Sequence, residues 1–295
     1  MVCQTIAQQR WLSKRIRRLI IRAISSGFLL DYNFQTSFFG YIYEGNTRNL
    51  IDRKVLFSGC HECDVLAFVK DVLGGQENPV FVDIGANIGH HTLFASRYAS
   101  RVYAFEPYAS VREKLSDKLE RNGIENVKVV SVALGDKTET RRFFAPPVEN
   151  LGTGSFVEQY SEKNKVDQYL EICRLDDIFT EMGIAQASLM KIDVEGFEKQ
   201  VLSGASQMMR LMRPVVLFEN SMYLDDALHN LQDIRDIFPE NYLFYRFSHR
   251  GKRRHGCYRL LELSQEMFTD RRQLALVAAP REQAVPLSAG GRLAR

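Results

Sequence analysis

The chain has 295 residues, 45% of them hydrophobic and 25% charged, with a net charge of +3. That apolar content can bury a full core, which excludes a disordered chain and points to one α/β domain with additions, or at most two small domains. The small net charge hides an asymmetry: residues 1–30 carry six basic and no acidic side chains, 246–259 another six and no acid, while 31–245 hold 22 basic against 32 acidic. No base-stacking aromatics interleave with the basic residues, so nucleic acid is not expected as a partner and a solvated basic face is the common reading.

The first segment, RWLSKRIRRLIIRAISSGFLL, is cationic and then apolar, but Arg22 interrupts it short of the ~20 residues a membrane span needs. No small-residue cleavage site follows cleanly, so it is not read as a signal peptide. As a helix it places Ile16, Leu19, Ile20 and Ala23 opposite Arg15, Arg18 and Arg22. That face suits docking on the domain or a weak contact with an anionic membrane. Residues 1–70 are read as this basic helix and an extension packed on a core at 71–265, and residues 266–295 as a tail, partly disordered because 281–295 holds little that can pack. Five widely spaced cysteines (Cys3, Cys60, Cys63, Cys173, Cys257) without a secretory signal suggest free thiols and a cytoplasmic location. Cys60-His61-Glu62-Cys63 lacks a second ligand pair for tetrahedral zinc and reads as two half-buried thiols.

Between about 80 and 220, short apolar runs alternate with helical stretches. Strands are expected at 80–84, 101–105, 127–133, 188–192 and 214–219, and helices near 89–98, 108–122, 196–210 and 225–237. This is the rhythm of a mostly parallel, doubly wound sheet covered on both faces. Within 139–174 a strand-like TRRFFA precedes PPVENLGTGSF, a loop able to cap a pocket, and 242–247 with 257–263 reads as a C-terminal antiparallel hairpin.

In an open α/β sheet ligands bind where strands turn into helices at their carboxyl ends. The first such turn is Asp83-Ile84-Gly85-Ala86-Asn87-Ile88-Gly89. A dinucleotide fingerprint needs glycine at 87 and 90, where this chain has Asn87 and His90, so a nicotinamide cofactor loses its main support. Glu106 ends the second strand about twenty residues beyond the turn, where a carboxylate accepts from ribose hydroxyls. Asp83 at the mouth of the turn repels phosphate and suits a cation. S-adenosylmethionine meets both demands, with Gly85 and Gly89 admitting its methionine portion. His90 and His91 open the following helix, one of them expected to face solvent.

The other dense motif is ASLMKIDVEGFEKQVLSGA, residues 187–205, which puts Asp193 and Glu195 on the same rim as the glycine turn. They are candidates for general base and substrate-hydroxyl ligand. The competing role is capping the helix that begins at Gly196. A metal-assisted variant through Asp193, Glu219 and Asn220 is permitted by spacing but not demanded, and no metal is assigned.

FVDIGANIGHHTL, VYAFEP, NVKVVSVALGD, RLDDI, LMKIDVEGFEKQVLSGA and RPVVLFE occur in this order from about 80 to 220, and here the chain resembles the FkbM-type S-adenosylmethionine-dependent methyltransferases. The upstream YEGNTRNLIDRKVLFSGCHECDVLAFV resembles the extension of some members. The resemblance implies a Rossmann-like class I sheet, S-adenosylmethionine as donor and O-methylation of a sugar, glycan or secondary metabolite. By carry-over Asp83, Gly85, Asn87 and Gly89 line the methionine side, Glu106 the ribose, and Ala133 and Leu134 the adenine, while Asp193 and Glu195 fall on the family's acidic motif. This chain departs in having His90-His91 where members often carry aromatics, and Asn220-Ser221 where they carry a histidine. The rival reading is a catalytically silent nucleotide-binding or membrane-surface interaction module.

Overall fold

The computed structural model describes residues 31–160, 166–248, 257–269, 273–283, 285, 286 and 288. The expected basic helix within 1–30 and the basic loop 249–256 lie outside the described residues.

The chain opens with an antiparallel hairpin, β1 (Asn33–Phe38) and β2 (Tyr41–Asn46). Helix α1 (Leu50–Ser58) follows, capped by the Asn49 side chain accepting from the backbone N–H of Ile51 and Asp52, and then α2 (Cys63–Gly74). The core runs through β3 (Val80–Ile84), α3 (His90–Ala95), β4 (Arg101–Phe105), α4 (Ala109–Arg121) and β5 (Val127–Val130). A small three-stranded sheet is inserted next: β6 (Ala133–Gly135), β7 (Glu139–Ala145) and β8 (Val166–Arg174), with β8 central. After α5 (Leu175–Glu181) come β9 (Leu189–Ile192), α6 (Glu198–Gly204), α7 (Ser206–Met212), β10 (Val215–Ser221), α8 (Leu231–Ile237), β11 (Tyr242–Phe247), β12 (Leu260–Glu262) and β13 (Gln273–Pro280).

The main sheet has the order β12-β11-β13-β10-β9-β3-β4-β5. Strands β5, β4, β3, β9 and β10 are parallel neighbours, and β13 enters antiparallel between β10 and β11. The Rossmann-like α/β expectation holds. The hairpin forms too, with Tyr245 opposite Glu262, but it does not close the sheet. Residues 273–280, assigned from sequence to the tail, supply the strand between β10 and β11, so a domain boundary at 265 removes an interior strand. The run LALVAA at 274–279 was the signal: an all-apolar stretch of this length is what a strand buried on both faces requires. The helix expected over 196–210 is two helices, α6 and α7, meeting at Ala205.

Period-two alternation distributes β3 between the two layers of the core. Val82 and Ile84 pack in one cluster with Phe105, Met190 and Phe218; Phe81 packs in the other with Leu66, Phe68 and Leu93. Each such side chain contributes about 1.5–3 kcal/mol by leaving water. Strand β9, Leu-Met-Lys-Ile, is buried at all four positions, and Lys191 is its exception in chemistry.

Candidate active site

The carboxyl ends of β3, β4, β9 and β10 open on one rim, where a cavity of about 280 Å³ lies. The rim is pinned by backbone bonds: Gly85 and Ala86 N–H both donate to the Phe105 carbonyl at 3.0 Å, and Asp193 N–H donates to the Ile84 carbonyl at 3.0 Å. One side wall is the N-terminal extension, through Leu50, Ile51, His61 and Glu62; the opposite wall is the insertion, through Phe143, Pro146, Asn150 and Phe156. The two walls are tied where Leu50 N–H donates to the Glu149 carbonyl at 3.1 Å and Arg48 pairs with the Glu149 carboxylate at 2.7 Å. The expected capping loop therefore takes its place over the pocket.

Glu106 is the fixed point on the donor side. Its Oε2 accepts from Asn87 N–H at 2.9 Å and its Oε1 from Tyr108 N–H at 3.0 Å, so the carboxylate is held in one orientation with lone pairs left toward the cavity. Burial raises its pKa to about 7 against these two donors. Asn87 adopts φ 51°, a left-handed conformation that asparagine tolerates, and lines the cavity beside Gly85 and Ala86. Beyond Glu106 come Ala133 and Leu134 and a run of aromatic rings: Tyr108 to Phe143 at 5.7 Å, Phe143 to Phe156 at 5.0 Å and Phe156 to Phe197 at 5.4 Å between centroids. This apolar, π-rich end suits a purine. The sequence reading missed the aromatic run because its members come from four separate segments.

Two turn residues sit elsewhere than expected. Asp83 is fully buried and lines no part of the cavity: its Oδ2 accepts from Thr92 Oγ1 at 2.6 Å, and its charge faces Lys191. Asp83 thus balances a buried lysine behind the turn rather than meeting a ligand cation. Gly89 is the left-handed N-cap of α3, φ 84°, and a Cβ there would collide with the Leu115 side chain, so it too is packing. Gly85 lines the cavity, yet its glycine identity answers to the fold: at φ 78° a Cβ would collide with the Asp193 carbonyl oxygen on the adjacent strand. His90 and His91 are both buried, not solvent-facing, and burial holds both rings neutral; His90 Nε2 meets the His61 carbonyl at 2.9 Å.

The acids form the opposite end. Asp193, Glu195, Glu219 and Glu62 line the cavity with Lys191. Lys191 Nζ donates to Asp193 Oδ2 at 2.8 Å; burial opposes its charge, but Asp193, Asp83 and Glu62 around it outweigh that and raise its pKa. Glu219 is pushed up to about 10 by burial and by the charges of Asp193 and Glu62, so it carries its proton at neutral pH. The helix expected at Gly196 begins at Glu198, with Phe197 at its N-cap and no side-chain cap; Glu198 instead braces the loop before it, its Oε1 accepting from Val194 N–H at 3.0 Å and its Oε2 from Gly196 N–H at 3.0 Å. Glu195 is held at φ 51°, with its carbonyl accepting from the buried Ser155 Oγ at 2.6 Å, which ties the insertion to this loop.

Glu62 and His61 were not singled out as site residues. They lie between Cys60 and Cys63, which are joined as a disulfide, not free thiols. Glu62 sits at φ 44° with its Oε2 3.4 Å from His91 Nε2 and its Oε1 3.8 Å from His61 Nε2. Among the described residues no cluster of three or more His, Cys, Asp or Glu side chains is arranged to hold a metal ion, and no helix is long and apolar enough to cross a membrane.

A family model described as the methyltransferase FkbM domain matches residues 83–251. Methyltransferase sdnD of Sordaria araneosa is 29% identical over 168 residues, covering 46% of this chain and 64% of its own. The 31-O-demethyl-FK506 methyltransferase FkbM of Streptomyces tacrolimicus is 30% identical over 153 residues, covering 42% of this chain and 58% of its own. The 2-O-methyltransferase NoeI of Sinorhizobium fredii is 24% identical over 190 residues, covering 58% of this chain and 76% of its own. The chain spans less than two thirds of the length of the first two relatives.

Proposed function

The chain belongs to the FkbM methyltransferase family, whose methyl donor is S-adenosylmethionine, and from that premise we propose that it methylates a hydroxyl of a sugar, glycan or small secondary metabolite. The observation that carries this reading is one cavity with two chemically distinct ends: the Glu106 carboxylate flanked by aromatic rings, and a cluster of acids around a single lysine. The first end fits an adenosine, with Glu106 accepting from the ribose hydroxyls and Ala133, Leu134 and Phe143 against the base. Between the ends Gly85, Ala86 and Asn87 present backbone to the methionine portion. The acid end suits the positive charge of the donor, a role expected of Asp83 and better matched by Asp193 and Glu195, which line the cavity.

The donor supplies an electrophilic methyl group on a sulfonium. The protein must hold a weakly nucleophilic hydroxyl in line with it, exclude water and receive a proton. Asp193 and Glu195 accept hydrogen bonds from acceptor hydroxyls, and Lys191 fixes the Asp193 carboxylate in place. Glu219, protonated at neutral pH, donates to an acceptor oxygen. The walls built by the extension and the insertion keep the reacting end dry. Oxygen as the methylated atom is supported by the Streptomyces and Sinorhizobium relatives, a 31-O-demethyl-FK506 methyltransferase and a 2-O-methyltransferase. A cytoplasmic location, expected from free thiols, loses that support at Cys60 and Cys63, which are joined as a disulfide.

The test is transfer itself. Purified protein is incubated with methyl-deuterated S-adenosylmethionine and a saccharide and metabolite extract, and products are read by mass spectrometry. A deuterated methyl ether formed by the wild type and lost with Asp193→Asn supports the reading. Donor binding with no labelled product in any fraction would favour a silent binding module instead.

A further inference from the structure

We propose that Glu62, delivered into the cavity by the disulfide-closed loop Cys60–Cys63, is the catalytic base that takes the proton of the acceptor hydroxyl. The inference deepens the methyltransferase reading and rests on it. Four features of the structure carry it. Glu62 precedes α2 as its N-cap, yet its side chain makes no capping hydrogen bond, so the carboxylate is not spent on the helix. Its φ of 44° is a left-handed conformation costly for a side chain of this kind, and such strain persists where the surroundings enforce it. The surroundings do: the disulfide closes a four-residue loop whose two middle members, His61 and Glu62, both line the cavity. The carboxylate then faces the acid end, where the acceptor is expected, rather than the ribose end.

Most of the alternatives on that wall are already committed. Asp193 is ion-paired to Lys191, Glu219 holds its proton, and His61, His90 and His91 are too weakly basic in their buried settings to receive one, at about 4 and about 3 for the first two and lowered for the third. The charged and titratable groups facing Glu62 are His61 and His91 at the distances given, Asp193, Lys191 and Glu219 across the cavity, and Asp64 and Lys54 from its own side. Burial first, and then Asp193, raise Glu62 to about 7, the range in which a general base is half available at neutral pH and still strong. In the step, the acceptor oxygen forms its bond to the methyl carbon as the carbon–sulfur bond breaks. The pair from that bond goes to sulfur, which leaves as a neutral thioether, and the hydroxyl proton passes to a Glu62 oxygen. His91 Nε2 lies 3.4 Å from Oε2 and stays neutral throughout.

Four measurements test this. In the labelled-extract assay Glu62→Gln should lose ~100-fold or more in transfer rate, the range a general base contributes. Its S-adenosylmethionine affinity by calorimetry should stay within about twofold of wild type. The wild-type rate should fall tenfold per pH unit below about 7, a limb the variant lacks and Glu62→Asp partly restores. A Gln variant that keeps its rate, or loses donor affinity instead, overturns the proposal while leaving the methyltransferase reading intact. Independently of turnover, carboxyl-¹³C glutamate NMR of the whole protein should show one resonance, absent from Glu62→Gln, that titrates near neutrality; a midpoint in the ordinary carboxylate range overturns it even if no acceptor is found.

Discussion

Replacing Glu106 by Gln is the sharpest perturbation of the donor end. The exchange keeps size and one acceptor oxygen but removes the charge and presents an NH2 to either Asn87 N–H or Tyr108 N–H. A hydrogen bond to a charged group contributes about 1.5–3 kcal/mol, so loss of one charge-assisted ribose contact corresponds to about 10- to 100-fold weaker binding of S-adenosylmethionine. Glu106→Ala is a poorer probe, because it also strands the two buried N–H groups at about 1–3 kcal/mol each and disturbs the turn. The pKa of about 7 adds a second readout. Ribose hydroxyls donate to the carboxylate and stabilise its charged form, so donor binding at pH 6.5 releases a fraction of a proton and affinity falls as pH drops below 7. Calorimetry in two buffers of different ionisation enthalpy measures that proton, with thermal unfolding as the check on folding. A folded Gln variant binding within twofold of wild type, or a wild type that releases no proton, would refute the ribose assignment.

Gly85→Ala should abolish donor binding and lower the unfolding temperature, since its Cβ would meet the Asp193 backbone at a left-handed φ; an unchanged melting curve contradicts the packing argument. Lys191→Met strips the buried cation from among Asp83, Asp193 and Glu62, and removing one partner of a buried pair costs about 3–5 kcal/mol, to be read by denaturant unfolding; a loss under about 1 kcal/mol would mean the carboxylates simply protonate. Glu198 is raised by burial to about 7, above its unfolded value, so it contributes stability fully present below about 4.5 that is lost as pH rises through 7. Wild type should therefore lose more thermal stability between pH 5 and 8 than Glu198→Gln does, and equal losses would argue against a buried, proton-holding Glu198. Opening the 60–63 loop with Cys60→Ser and Cys63→Ser together should slow transfer while donor affinity holds, because the loop carries Glu62 but none of the groups assigned to the donor; a parallel fall in donor affinity would place the loop at the wrong end of the cavity.

The parallel half of the sheet was legible because β3, β4 and β9 are short apolar runs bounded by turn residues, which only a doubly covered strand explains. Strand β13 was missed although LALVAA marks it, since it stands beside a segment poor in apolar residues and nothing local says that it pairs with the distant β10. Glu106 and the Asp193 loop were placed on the cavity rim from position alone, at the carboxyl ends of strands, while Asn87 came from the family resemblance. Asp83 was misread because sequence places a carboxylate at a strand end without saying which way it points, and here a lysine two strand positions before Asp193 turns it inward. That lysine was itself a signal: an ionisable residue in the middle of LMKI has no reason to be buried unless carboxylates surround it. Glu62 and His61 were hidden for a different reason. They reach the site from an extension upstream of the core, and their motif was considered only as zinc ligands or thiols, when its cysteines in fact bind each other.

The position of the donor in the cavity decides between these roles. A crystal structure with S-adenosylhomocysteine should place the ribose hydroxyls on Glu106, the purine against Ala133, Leu134 and Phe143, and the sulfur facing Asp193 and Glu62. A nucleoside bound with its ribose away from Glu106, or with its sulfur turned from the acid end, would contradict that placement.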